Sequence, residues 1–107
     1  MNALVAKVPP RKAIDASQAQ VLEQIPNIGA SLAADLRLIG IQTPGQLRGQ
    51  DAFSLFQSLN QAKHQRQDPC VLDTILAAVD FMNGAAAAPW WTYTPARKAR
   101  FGLQPSM

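Results

Sequence analysis

The sequence predicts an all-α fold on three observations. Apolar residues recur at three- and four-residue spacing along the longer segments. Three helix starts read as a capping residue followed by proline, at Thr43-Pro44, Asp68-Pro69 and Thr94-Pro95. No segment of useful length reads as a strand. With 107 residues, 48% of them apolar, the chain is expected to form one small domain around one core.

Residues 1–12 read as a flexible arm, because Pro9-Pro10 breaks any helix and Lys7, Arg11 and Lys12 keep the segment solvated. The helical domain is placed at 13–84. Asp15 or Ser17 can cap a first helix that runs to about Gln24, with Ala19, Val21, Leu22 and Ile25 as its apolar spacing. Pro26 cannot continue it. Asn27 and Gly29 are residue types that tolerate a positive φ, so a tight turn is expected over Ile25–Ser31. A second helix follows from about Ala30 to Ile39, and Gly40 stops it as a left-handed cap.

Ile41 is short and extended. Thr43-Pro44 opens a short third helix that Gly49 ends. Asp51 caps a fourth helix, whose apolar positions are Phe53, Leu55, Phe56 and Leu59. Gln61 to Gln67 is a polar, basic loop. The fifth helix runs from Pro69 to about Met82, with Leu72, Ile75, Leu76, Val79 and Met82 on one face. Asp73 and Asp80, seven apart, share another face, and Asn83-Gly84 ends the helix. The expectation is thus a compact five-helix domain, its third to fifth helices repeating the first pair in degenerate form. Residues 85–107 form an alanine linker, a Trp90-Trp91 segment and a basic tail, with fraying expected from Gly102 onward.

Charge is unevenly spread over this plan. The chain carries a net +3, yet between Ile14 and Ala62 four acids (Asp15, Glu23, Asp35, Asp51) face only two bases (Arg37, Arg48). Positive charge lies in the N-terminal arm, in the Lys63–Arg66 loop, and at Arg97, Lys98 and Arg100. A nucleic-acid partner would therefore meet arms and a loop more than a charged helix face. No run is long enough to span a membrane, and the N-terminal order does not read as a signal peptide. The single cysteine excludes an internal disulfide, and a cytoplasmic location is expected.

The Ile25-Pro26-Asn27-Ile28-Gly29 run, with Ala33, Leu36 and Gly40-Ile41 after it, resembles a helix-hairpin-helix motif. The resemblance implies a SAM-like and recombinase-N-terminal-like helical bundle. It also implies hairpin amides that hold a nucleic-acid phosphate without reading bases. Three further runs, Leu47-Arg48-Gly49-Gln50-Asp51, Arg66 to Asp73, and Pro89-Trp90-Trp91, resemble a narrower group. These are the bacterial helix-hairpin-helix proteins of the "pathogenicity locus" family, some labelled mitomycin-resistance proteins. The similarity extends from about Ile14 to Lys98. Two positions depart from the hairpin pattern: Asn27 stands for the first glycine, and Ser31 for a frequent lysine or arginine.

The candidate nucleic-acid-binding residues are Asn27, Ile28, Gly29, Ala30 and Ser31 at the turn, with Arg37, Lys63 and Arg66 as supporting charge. The same turn can equally serve as a packing corner. Trp90 and Trp91 can stack on unpaired bases or fold back to seal the core. Cys70 falls in the first turn of a helix, which lowers a thiol's pKa, but Asp68 and Asp73 oppose that effect. The run is read instead as structural, with Cys70 a buried small residue and Asp68 a cap. No metal-ligand spacing, nucleotide loop or catalytic constellation is present, so no enzyme, cofactor or metal is expected. The expected partner is nucleic acid, most simply DNA, bound by a monomer or weak dimer; a protein partner is the alternative.

Overall fold

The computed structural model describes residues 11–102, and all of the regular structure there is helical. Most of the N-terminal arm and the last five residues lie outside the described residues. Four α-helices are present among them: α1 (Ala30–Leu38), α2 (Ala52–Ala62), α3 (Pro69–Met82) and α4 (Thr94–Phe101). Single 3₁₀ turns at Ala16–Gln18, Leu22–Gln24, Pro44–Leu47 and Trp90–Tyr93 connect them.

The core is built on α3. Ten of its fourteen residues are buried, so it is apolar nearly all round, as a central helix must be. Helix α2, α4 and the Pro44–Leu47 and Trp90–Tyr93 turns all pack on it. Helix α1 packs on α2 and on the Leu22–Gln24 turn. Leu22, Ile25, Ile28, Leu36, Leu47, Leu72 and Ile75 are fully buried in one cluster.

Two aspartate caps match their sequence signals, whereas Thr94, expected as a cap, is the first residue of α4; Tyr93 holds the cap position without a side-chain bond, and the Thr94 hydroxyl goes to Asp73 instead. Asp51 accepts from the Ser54 N–H at 3.0 Å, and Asp68 from the Cys70 N–H at 2.9 Å. Helix α1 ends in a Schellman motif: Gly40 (φ 96°) donates to Arg37 O and Ile41 to Leu36 O. Helix α3 ends the same way at Gly84, through Gly84 to Phe81 O and Ala85 to Asp80 O.

Two predicted helices are shorter than expected. The segment expected as a first helix to Gln24 is instead two 3₁₀ turns, with Ala19 extended between them. Its polar side chains take the main-chain donors that a helix would use. Gln24 Oε1 accepts from the Gln20 and Val21 N–H groups, Gln18 Oε1 from Ile14, and Asp15 Oδ1 from Ser17. The third helix is likewise a single turn, in which Gln46 Oε1 accepts from the Thr43 N–H.

The chain after the alanine linker folds back onto α3. Arg97, read from sequence as part of a basic tail, is instead 3% exposed and paired with Asp73, which is 1% exposed. Arg97 Nε lies 2.8 Å from Asp73 Oδ1. The Thr94 hydroxyl donates to Asp73 Oδ2 at 2.7 Å. Phe101 closes the end of the segment, stacked on Phe53 of α2 with ring centroids 4.6 Å apart.

Candidate nucleic-acid interface

The turn before α1 is closed by the Ile28 N–H, which donates to Ile25 O at 3.1 Å. Pro26 and Asn27 are its two central residues, and Asn27 has φ 74°. Proline second and a left-handed residue third is the signature of a type II turn, which explains why asparagine serves here. Gly29 differs from expectation. Its φ of −94° is ordinary, and its role is that of N-cap without a side chain. A Cβ added there would meet nothing within 4 Å.

This geometry sorts the predicted amides. The Ile28 N–H is spent within the turn, so it is not open to a ligand. The first main-chain bond of α1 runs from Ala33 to Gly29 O, which leaves the N–H groups of Ala30, Ser31 and Leu32 outside the ladder. No side chain caps them. Gly29, Ala30 and Ser31 are exposed, so these donors face solvent at the positive end of α1.

In front of them is an open cleft of about 380 Å³. Asn27, Gly29 and Ser31 form one wall; Lys63, Gln67 and Cys70 form the other, with Trp90 also lining it. The structure thus gathers Asn27, Gly29, Ser31, Lys63 and Trp90. It does not bring in Arg37, whose guanidinium is bound to both carboxylate oxygens of Glu23 at 3.0 and 2.8 Å. That pairing holds the Glu23 carboxyl below its ordinary pKa and the Arg37 guanidinium above it. Arg66 is exposed in the loop and is not among the residues that line the cleft. Lys63 reaches the cleft but is bonded to Asp35, at 3.1 and 3.3 Å.

Asn27 has a second task. Its Nδ2 donates to Ala88 O at 2.8 Å, which ties the turn to the alanine linker. The side chain is therefore drawn toward the linker. Beside this bond, Pro26, Ala88, Pro89 and Trp91 line a shallower groove. Trp90 is half-buried, while Trp91 is 60% exposed, and the two rings meet edge to face. Replacing Asn27 separates its two tasks. Asn27→Ala should cost about 2 kcal/mol, from a left-handed alanine and a lost hydrogen bond. Asn27→Gly keeps the turn conformation, loses only the bond, and should cost about 1 kcal/mol. Urea midpoints that rank the two the other way would contradict this account.

The Cys70 thiol also borders the cleft. Burial, then the hydrogen bond and charge of Asp68, push its pKa up to about 11. Burial, with the neighbouring carboxylates adding to it, outweighs the helix dipole, so little thiolate exists at neutral pH. Among the described residues no group of histidine, cysteine and acidic side chains could hold a metal ion. Nor is any described helix long and apolar enough to cross a membrane.

Sequence reasoning missed two features. One is Lys12, assigned to the arm but held behind the turn, where its ammonium donates to Glu23 O, Ile25 O and Ile28 O. Nothing in its local sequence marks it. The other is the Asp73–Arg97 pair. It had a signal: an acid inside an apolar helix needs a partner, and Thr94 and Arg97 are three apart on one helix face.

Comparison with known proteins places the chain in a family. A family model described as "Pathogenicity locus" matches residues 15–99. The chain is also similar to the mitomycin resistance protein McrB of Streptomyces lavendulae. The two are 46% identical over 77 residues, which cover 72% of this chain and 73% of that protein. No solved structure gives a significant match.

Proposed function

The chain belongs to the pathogenicity locus family, and we propose that it is a non-enzymatic, sequence-independent nucleic-acid-binding module, with DNA the partner. One observation carries the reading: the uncapped N–H groups at the exposed start of α1, where Gly29 and Ser31 line a cleft that Lys63 borders. A backbone phosphate seated there would accept from these amides and from the Ser31 hydroxyl. Lys63 would exchange Asp35 for the phosphate. Arg37 contributes little, since Glu23 neutralises it. Nothing in this arrangement reads a base edge, so binding is indifferent to sequence. The resistance role in the relative's name extends to this chain within the same proposal, as an action at damaged DNA.

Few charged contacts imply weak binding, on the order of micromolar or weaker. With two or three phosphates contacted, affinity should fall about ten- to fortyfold between roughly 50 and 200 mM salt. Titration of labelled single- and double-stranded DNA measures both. No binding at low salt, or binding indifferent to salt, would sink the proposal.

Two substitutions separate binding from folding. Ser31→Asp places a carboxylate at the positive end of α1, which should stabilise the helix by about 0.3–1 kcal/mol. The same charge repels phosphate, so binding should drop at least about tenfold. Gly29→Ala should leave stability near wild type, because φ is ordinary and the space is open, yet its methyl group would crowd a bound phosphate. Binding unchanged in both variants would count against the site.

A protein-interaction adaptor is the second reading, favoured by the exposed Trp91 beside the Pro26–Ala88–Pro89 groove. A stoichiometric protein partner that survives nuclease treatment, from a chain that binds no DNA at low salt, would favour it.

A further inference from the structure

Behind the turn, three main-chain carbonyl oxygens converge on one nitrogen. Lys12 Nζ lies 2.8 Å from Glu23 O, 3.1 Å from Ile25 O and 2.6 Å from Ile28 O. Three acceptors use all three N–H groups of an ammonium; a neutral amine has only two. The oxygens are available because the chain here is irregular. The 3₁₀ turn ends at Gln24, Pro26 supplies no donor, and Ile28 precedes the first turn of α1. The only other main-chain donor to any of the three among the described residues is the Ile28 N–H, on Ile25 O. Convergent carbonyl dipoles at such distances suit a large monovalent cation.

We propose that Lys12 is the built-in cation of this turn, filling a carbonyl cradle, and is thereby a positioning residue for the Gly29 N–H, which leads into the anion-binding amides of α1; this second half rests on the function proposed above. The link is the Ile28–Gly29 peptide, which is trans, so its C=O and N–H point in opposite directions. Drawing the Ile28 carbonyl onto Lys12 turns the Gly29 N–H away from the cradle and polarises it. The ammonium also sets a positive charge directly behind the turn, where Ser31 brings none. Glu23 does not cancel that charge in full, because its carboxylate is shared with Arg37. The cradle therefore takes an ammonium-sized monovalent cation, and in this chain the cation is covalently attached.

Thermal unfolding of Lys12→Ala tests the cradle in potassium, ammonium and tetramethylammonium chlorides at equal ionic strength. The Gly29 amide is followed by NMR. Lys12→Ala should melt about 5 °C below wild type in tetramethylammonium, which is too large for the cradle. Potassium and ammonium should restore about half of that loss and return the Gly29 amide resonance toward its wild-type position. Lys12→Met, whose stem blocks the cradle without a charge, should lose as much and recover in neither salt. Its affinity for DNA should be several-fold weaker than that of wild type. An unchanged melting temperature for Lys12→Ala, or one that is the same in all three salts, would overturn the cradle. Cation-specific rescue in a protein whose wild type binds no DNA would leave the cradle standing and overturn the DNA reading and the positioning role together.

Discussion

Arg97→Ala should destabilise the protein by about 3–5 kcal/mol, the cost of stranding one charge of a buried pair. A domain of this size has only about 5–15 kcal/mol in total. The Asp73 carboxylate sits inside α3 at 1% exposure, and its partners all come from α4. They are Arg97 Nε at 2.8 Å, Arg97 Nη2 at 3.3 Å and the Thr94 hydroxyl at 2.7 Å. Without Arg97 the carboxylate stays in a place that water does not reach. Asp73→Asn tests the converse case, a buried arginine facing a neutral side chain at position 73, and should cost a similar amount. A double variant, Asp73→Leu with Arg97→Met, removes both charges and keeps the volume. It should recover much of the loss, because the desolvation penalty disappears with the pair. Guanidinium midpoints for the three variants decide the matter. Losses that simply add in the double variant would show that packing, and not charge pairing, holds α4 in place.

That pair also marks the boundary of what the sequence makes legible. Local signals read well. Asp51 and Asp68 cap the helices they were expected to cap, and Gly40 and Gly84 stop α1 and α3. Each of these rests on a few adjacent residues. Residues 15–24 were misread because apolar spacing there competes with Asp15, Gln18 and Gln24, whose side chains bond the main chain and win. The charges were least legible of all. Composition cannot tell that Arg37 is committed to Glu23, Lys63 to Asp35 and Arg97 to Asp73, since each pair spans 14 to 28 residues. The sequence therefore reads as carrying more free positive charge near the turn than the fold presents. What it holds there in compensation, the Lys12 ammonium, lies in a segment that reads as an arm.

Ile28→Ala should cost about 2–5 kcal/mol, the second large effect. Ile28 is fully buried at the tip of the turn, in the same cluster as Leu22, Ile25 and Leu36. Truncating it removes most of the side chain, and the type II turn cannot collapse to fill the space while Pro26 and Asn27 set its backbone. Ile28→Val, one methylene smaller, should cost only about 0.5–1.5 kcal/mol. The pair of variants also tests the link between core and site. Ile28 offers its N–H to the turn and its carbonyl to Lys12, and its C-terminal neighbour is the N-cap Gly29. Its side chain thus fixes the peptide that aims the amides. Ile28→Val should bind DNA as wild type does at temperatures where both are folded. Ile28→Ala should bind more weakly even in the folded fraction, because the turn is no longer anchored. Wild-type affinity in a folded Ile28→Ala protein would separate the turn from the core. The amides at the start of α1 would then be positioned by α1 alone.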